Sequence, residues 1–180
     1  MSDSVLEQWL ARENEVRAMY AQGTGTGSND LEDIRTQTGL ALMQGMMNGT
    51  RPGPSISKTM DFLLVEVASG HAVFQGTPGE KYFNPMGTVH GGWYATLLDS
   101  ALGCAVHTLM PAGRAYTTSQ LSVNLVKAIN PKVQRVRAEG KVVHCGRQLA
   151  TAEARLYGPD GTLYAHATTT CLVFDIPTKS

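Results

Sequence analysis

The spacing of apolar residues along the chain predicts helices first and strands afterwards. Over residues 3–21, apolar side chains recur near a 3.6-residue period, which is typical of an amphipathic helix. Residues 31–48 repeat this pattern after the glycine-rich stretch QGTGTGSND, which predicts a flexible break. We expect Asn29 or Asp30 to cap this second helix, because short polar side chains favour that position.

The pattern changes to short, strand-like segments from residue 60 onwards. Apolar and polar residues alternate strictly over 119–127, with Leu121, Val123 and Leu125 on one predicted face. The turn sequence GPDG separates the last two segments and predicts a hairpin between them. The predicted strands cover 60–67, 71–77, 119–127, 136–145, 150–157 and 162–174.

One long apolar helix, predicted over residues 91–109, separates the first two strands from the other four. Strands at hairpin spacing favour an antiparallel sheet, and this helix is the candidate for its interior. The sequence therefore predicts an α+β fold in which the sheet wraps around a central helix. We divide the chain into an N-terminal helix with its glycine-rich linker, residues 1–30, and a main domain, residues 31–180, which includes the second helix.

Composition narrows the class of protein without identifying a function. The 180 residues include 15 Lys and Arg against 15 Asp and Glu, so the net charge favours neither nucleic acid nor an anionic membrane as a partner. The charge is unevenly placed, since residues 111–150 carry seven Lys or Arg and one Glu. This basic segment could face a polyanionic ligand, or it could consist of solvated cations at strand edges.

Cysteine usage and the N-terminal segment predict a cytoplasmic protein. Cys104, Cys145 and Cys171 are widely spaced and form no CxxC pair, which argues against a zinc site and a disulfide framework. Reduced thiols are the rule in the cytoplasm. The N-terminal segment lacks the features of a signal peptide, and no window approaches the roughly 20 apolar residues of a membrane span.

The central helix carries the residues with the clearest chemistry, in the run HGGWYATLLDSALG. Gly91 and Gly92 leave the first N–H groups of the helix sterically open, and the helix dipole makes this end attractive to negative charge. Such an end could hold a developing oxyanion, or the glycines could simply permit close packing. Asp99 lies among apolar neighbours, where a carboxylate is costly unless something compensates for it.

Helix geometry predicts that two copies of the chain share any site built on both groups. Asp99 follows Gly91 by eight residues, about 12 Å along a straight helix. One substrate carbonyl cannot touch both groups of a single helix. An antiparallel helix from a second copy would bring Gly91 of one protomer beside Asp99 of the other, and the small residues flanking Asp99 would permit this approach.

The pattern N-x-x-G-x-x-H-G-G-x6-D resembles the hotdog-fold acyl-CoA thioesterases, and their phenylacetate-degradation branch is the most similar. In this chain the pattern is formed by Asn84, Gly87, His90, Gly91, Gly92 and Asp99. The resemblance extends over residues 38–174 and implies a hotdog fold of five to six strands around the central helix. It also implies a homodimer with one continuous sheet, often paired into homotetramers, that hydrolyses an acyl-CoA thioester at the subunit interface. It implies no metal and no cofactor, with coenzyme A entering as part of the substrate.

The resemblance further implies catalytic roles for four residues. Gly91 would donate its backbone N–H to the thioester carbonyl. Asp99 would act as the nucleophile or as the general base that activates water. His90 and Asn84 would shape the preceding loop or contact the thioester region.

A second set of residues is expected to contact substrate: Gly92, Trp93, Thr118, Lys127 and Arg147. Trp93 could line an acyl pocket or pack at a subunit interface. The family often has a hydroxyl one turn after the acid, where this chain has Gly103, so Thr117 or Thr118 could replace that hydroxyl. Lys127 and Arg147, with His144 as a further possibility, are candidates for binding the phosphates of coenzyme A, although all three could be solvated charges.

Other functions need different residues. GxSxG and HExxH are absent, which argues against a nucleophile-elbow hydrolase and a zinc peptidase. A hydratase on the same fold would need a histidine paired with an acid in a different motif. A non-catalytic acyl-CoA-binding sensor would share the pocket but would not need Asp99.

Overall fold

The computed structural model describes residues 2–177, so the last three residues of the predicted main domain lie outside the described part of the chain. The helices are α1 (Ser2–Gln22), α2 (Leu31–Thr36), α3 (Gly39–Met47), α4 (Ser55–Met60) and α5 (Gly91–His107), with a 3₁₀ turn at Glu80–Tyr82. The strands are β1 (Thr26–Gly27), β2 (Gly53–Pro54), β3 (Phe62–Ala68), β4 (His71–Gly76), β5 (Arg114–Leu125), β6 (Val136–Cys145), β7 (Leu149–Tyr157) and β8 (Leu163–Asp175). No described helix is long and apolar enough to cross a bilayer.

Six strands form one antiparallel sheet in the order β3-β4-β6-β7-β8-β5, which confirms the predicted α+β fold. The two-residue strands β1 and β2 pair separately and in parallel. The predicted hairpin connects β7 to β8, with the Gly158 N–H donating to the Thr162 carbonyl over 2.9 Å. Gly161 adopts a φ of 80° in this turn, which a glycine reaches without strain. Strands β3 and β5 are the two edges of the sheet.

Helix α5 lies against one face of the sheet, here called the inner face, and contacts every strand. The sheet can approach the helix closely because many inner side chains are small. A Cβ atom at Gly140 would lie 2.4 Å from the Ala101 carbonyl oxygen of α5, so this position requires glycine. The buried inner alanines are Ala72, Ala138, Ala150, Ala152, Ala154, Ala165 and Ala167.

The second helix differs from its prediction, because residues 31–48 form two helices instead of one. Asp30 caps α2 by accepting from the backbone of its first turn, as predicted. Thr38 is extended and caps a new helix, α3. The interruption lets Gly39 pack on the end of α5, where a Cβ atom would lie 1.8 Å from the His107 carbonyl oxygen. Helix α4 was not predicted, since it is only six residues long and follows the turn-forming sequence RPGP.

Helix α1 covers the outer face of β3 and β4, opposite α5. Val16 of α1 packs there against Val65 and Val73. The glycine-rich segment after α1 follows a defined path, with the Thr24 N–H donating to the Gly49 carbonyl over 3.0 Å. The N-terminal extension is therefore tied to the sheet by both packing and hydrogen bonds.

A buried carboxylate, Glu13, organises the contact between α1 and the sheet. Its oxygens accept hydrogen bonds from Arg135 at 2.6 Å, Arg17 at 2.8 Å and Gln75 at 2.8 Å. Burial acts to raise the pKa of Glu13, but these hydrogen bonds outweigh it and leave the pKa below its ordinary value. The ionised form of Glu13 therefore stabilises the folded state.

We expect Glu13→Gln to lower the free energy of unfolding by about 2 kcal/mol at neutral pH, because two arginines lose their buried partner. Since the folded pKa is depressed, this contribution is present above the unfolded pKa of about 4.3 and disappears as pH falls through the folded value. Urea unfolding at pH 7 and pH 3 measures both effects. Glu15→Gln is the control, because the Glu15 side chain is 62% exposed. Equal stability of the Glu13 and Glu15 variants at pH 7 would contradict the assignment.

Candidate active site

The exposed side of α5 and the inner face of edge strand β5 form one continuous surface, here called the α5–β5 surface. Three contacts connect the helix to the strand along it. Going along α5, Gly91 lies against Leu125, Asp99 bonds to Thr118, and Gly103 lies against Tyr116. The helix and the strand therefore run in opposite directions, and the surface is open on the side of the free sheet edge.

Asp99 is half-buried at the centre of this surface. Its Oδ1 accepts a hydrogen bond from the Thr118 hydroxyl over 3.1 Å. No other hydrogen bond or ion pair from residues 2–177 reaches the carboxylate, so Oδ2 is free to bind a water molecule or a substrate. Nearby, burial raises the pKa of the Cys104 thiol to about 12, and the negative charge of Asp99 adds to this effect. Cys104 is thus a protonated, unreactive thiol at neutral pH.

The N-terminus of α5 presents one free N–H group. His90 is the helix cap, and its Nδ1 accepts from the Gly92 N–H over 2.9 Å. The Gly91 N–H has no acceptor among the residues that the structure describes. A Cβ atom at Gly91 would lie 2.7 Å from the Leu125 side chain, so glycine keeps this position open. The free N–H at the positive end of the helix suits an oxyanion.

Asn84 organises the loop that leads into α5. Its Oδ1 accepts from the backbone of Met86 over 2.9 Å, and its Nδ2 donates to the Thr88 hydroxyl over 3.0 Å. Gly87 closes the loop with a φ of 75°. The side chain of Asn84 is therefore engaged within its own loop, which fits the expectation that it shapes the approach to His90.

Trp93 lies away from the α5–β5 surface, although we expected it to contact substrate. The side chain is only 2% exposed, and its indole N–H donates to the Met60 carbonyl over 2.9 Å. It packs against β4, where a Cβ atom at Gly76 would collide with the ring. We therefore do not include Trp93 in the site, because its side chain is buried in the protein core. Gly92, in contrast, is exposed next to Gly91.

The structure does not bring Lys127 and Arg147 together within one chain. Arg147 lies beside the start of β5, where its carbonyl accepts from the Arg114 side chain. Lys127 follows the other end of the same strand. The eleven steps from Arg114 to Leu125 span about 36 Å at the usual strand rise. Both side chains are exposed cations at opposite ends of the sheet.

Sequence reasoning missed Tyr116, which lies on the same inner face of β5 as Thr118. The signal was its spacing, because residues two apart on a strand point to the same side. Within residues 2–177, no group of three or more His, Cys, Asp or Glu side chains lies close enough to hold a metal ion.

Comparison with known proteins links this geometry to a family. Residues 86–165 match the thioesterase superfamily, and this region contains His90, Gly91, Asp99 and Thr118. A Halobacterium salinarum protein named for esterase activity is 34% identical over 91 residues, 51% of this chain. The matched region spans only 56% of that relative.

Two solved structures show the same architecture. A phenylacetic acid degradation-related protein from Ralstonia eutropha JMP134 aligns with a TM-score of 0.66 and 23% identity, over 72% of this chain and 98% of that protein. A thioesterase family protein from Silicibacter pomeroyi aligns with a TM-score of 0.63 and 26% identity, over 67% of this chain and 90% of that protein. These matches confirm the expected hotdog fold.

Proposed function

We propose that the protein hydrolyses acyl-CoA thioesters at sites shared by two protomers, because residues 86–165 match the thioesterase superfamily. The observation that carries this proposal is the pair of groups left free on α5. The Gly91 N–H has no acceptor within the described chain, and Asp99 keeps one carboxylate oxygen without a partner. Together they supply the oxyanion donor and the activated oxygen that thioester hydrolysis requires.

The free sheet edge supports the pairing of two protomers. Strand β5 is 12 residues long and has no neighbour on one side. Its inward-facing Leu121 and Val123 are only partly buried, and Leu125 is 56% exposed. Long apolar edges of this kind favour pairing with another strand. A twofold copy with antiparallel β5 strands would extend the sheet and place Gly91 of each protomer near Asp99 of the other.

In this reaction the thioester carbonyl oxygen accepts the Gly91 N–H, which polarises the carbonyl carbon. Asp99 then removes a proton from an attacking water, or it attacks the carbon itself to form an anhydride that water cleaves. In the first route the carbon–sulfur bond then breaks, and the thiolate takes up the proton held by Asp99. In the second route the bond breaks as the anhydride forms, and the thiolate takes up the proton that is released when water cleaves the anhydride. The hydrogen bond from Thr118 holds Asp99 Oδ1 and leaves Oδ2 toward the reaction. These residues need neither a metal nor an organic cofactor.

The same pairing of protomers would allow Lys127 and Arg147 to bind one ligand together. Antiparallel β5 strands would bring the Lys127 end of one protomer toward the Arg147 end of the other. The two exposed charges would then flank the phosphates of one coenzyme A. This arrangement explains how residues at opposite ends of one sheet can serve a single ligand.

The purified protein is expected to release free thiol from at least one member of a panel of acetyl-, hexanoyl-, palmitoyl-, benzoyl- and phenylacetyl-CoA. Thiol release is followed with a colorimetric thiol reagent, and binding of each compound is measured in parallel by calorimetry. Tight binding of an acyl-CoA without any thiol release would contradict the hydrolase and would favour the acyl-CoA-binding sensor.

A further inference from the structure

The side chain of Tyr116 crosses from β5 to α5 and ends directly over Gly103. A Cβ atom at Gly103 would lie 2.6 Å from the Tyr116 hydroxyl oxygen and 3.1 Å from the ring edge. On the far side, the Tyr116 ring packs against His107 with centroids 5.5 Å apart. Glycine at position 103 therefore makes the space into which the phenol group fits.

The Tyr116 hydroxyl has no hydrogen-bond partner among residues 2–177. Tyr116 is half-buried, and its hydroxyl is not among the fully buried polar atoms that lack a partner, so a water molecule can reach it. Burial raises the pKa of Tyr116 well above its ordinary value, and the nearby Cys104, Cys171 and Asp99 add to the shift. This shift favours the neutral hydroxyl over the phenolate at neutral pH.

Two independent spacings bring this hydroxyl close to Asp99. Tyr116 and Thr118 are two residues apart on β5, and Thr118 bonds to Asp99. Asp99 and Gly103 are four residues apart on α5, so their Cβ positions are about 5–6 Å apart on one face. The Tyr116 oxygen therefore lies beside α5 about one helical turn from the Asp99 side chain.

We propose that Tyr116 is a positioning residue, whose hydroxyl holds the attacking water against the free oxygen of Asp99. The water donates one hydrogen to Asp99 Oδ2 and the other to the Tyr116 oxygen, which leaves a lone pair directed at the carbonyl carbon. Asp99 takes the first proton as the new carbon–oxygen bond forms, and this proton passes to the departing thiolate. The inference rests on the proposed thioester hydrolysis and adds the group that orients its nucleophile.

Tyr116→Phe tests this role directly, because it removes one oxygen and keeps the ring against Gly103 and His107. Loss of a neutral hydrogen bond to the water should lower kcat about tenfold, with KM changed less than twofold. A purely structural role would not produce this split between kcat and KM. Tyr20→Phe is the matched control, since Tyr20 is also partly buried and lies on α1. A kcat of Tyr116→Phe within twofold of the wild type would overturn the proposal.

Gly103→Ala provides a second variant, because its methyl group would displace the phenol oxygen. We expect it to lower kcat about as much as Tyr116→Phe, and the double variant to be no slower than either single one. Fully additive losses would show that the two positions act separately and would overturn the role given to Gly103.

Comparing hydrolysis by Asp99→Asn and Tyr116→Phe distinguishes failure of the role of Tyr116 from failure of the proposed function. Wild-type hydrolysis that is lost in Asp99→Asn but kept in Tyr116→Phe would overturn only the role of Tyr116. Hydrolysis that survives Asp99→Asn would overturn the proposed mechanism as a whole.

Discussion

Asp99→Asn is expected to lower the turnover of acyl-CoA about 10²- to 10⁴-fold, the usual contribution of a general base. The amide has the size of the carboxylate and can still accept the hydrogen bond from Thr118. It cannot take a proton from water or attack a carbonyl carbon. The loss should therefore appear in kcat, measured as thiol release with the best substrate of the panel, while thermal unfolding changes little.

Glu153→Gln is the matched control for this change. Glu153 is an exposed carboxylate on β7, and its neighbours across the strands are Lys141 and Thr168 on the outer face of the sheet. Full activity of this variant would show that removing a carboxylate charge as such has no effect. Turnover of Asp99→Asn within threefold of the wild type would remove Asp99 from the chemistry.

Two inactive variants are expected to restore activity when they share one dimer. Gly91→Val places a branched side chain beside the free N–H, and loss of an oxyanion donor costs about 10²- to 10³-fold. A heterodimer of this chain with an Asp99→Asn chain would keep one unaltered Gly91 and one unaltered Asp99 in the same site. Heterodimers isolated through two different affinity tags should therefore regain about half of the wild-type activity, because one of two sites is intact.

When both substitutions are on the same chain, we expect the heterodimer to be inactive. A wild-type chain paired with a chain that carries both Gly91→Val and Asp99→Asn should be inactive, because each shared site then contains one altered group. A site within a single chain would instead give half activity here and none in the first heterodimer. Gly79→Val is the control for adding a side chain at a glycine, since no atom lies within 4 Å of that Cβ position.

The sequence predicted the elements that depend on local periodicity. The central helix, the six strands of the main sheet and the GPDG hairpin were all visible, because amphipathic patterns and turn residues act over a few positions. The break at Thr38 was missed, because its cause is the distant carbonyl of His107 against Gly39. Contacts between residues far apart in the chain leave no mark on local periodicity.

The candidate site likewise contains some features that the sequence predicted and others that only the structure showed. The run from His90 to Asp99 could be identified as chemically significant from its residue types and spacing on one helix. The sequence predicted Thr118 only as a candidate hydroxyl near the acid, without showing that it bonds to Asp99, and it did not show that Trp93 faces the core beneath Met60. These facts depend on which strand lies beside the helix and on which side of the helix meets the sheet.

The amino-acid pattern by itself determined that this chain forms a sheet around a helix that begins with two glycines and carries one acid. Only the tertiary structure decided that Tyr116 fills the space over Gly103 and that Glu13 binds Arg135, 122 residues away along the chain. The reason is physical. Hydrophobic periodicity encodes which face of an element is buried, whereas strand order and register decide which side chains meet across that face.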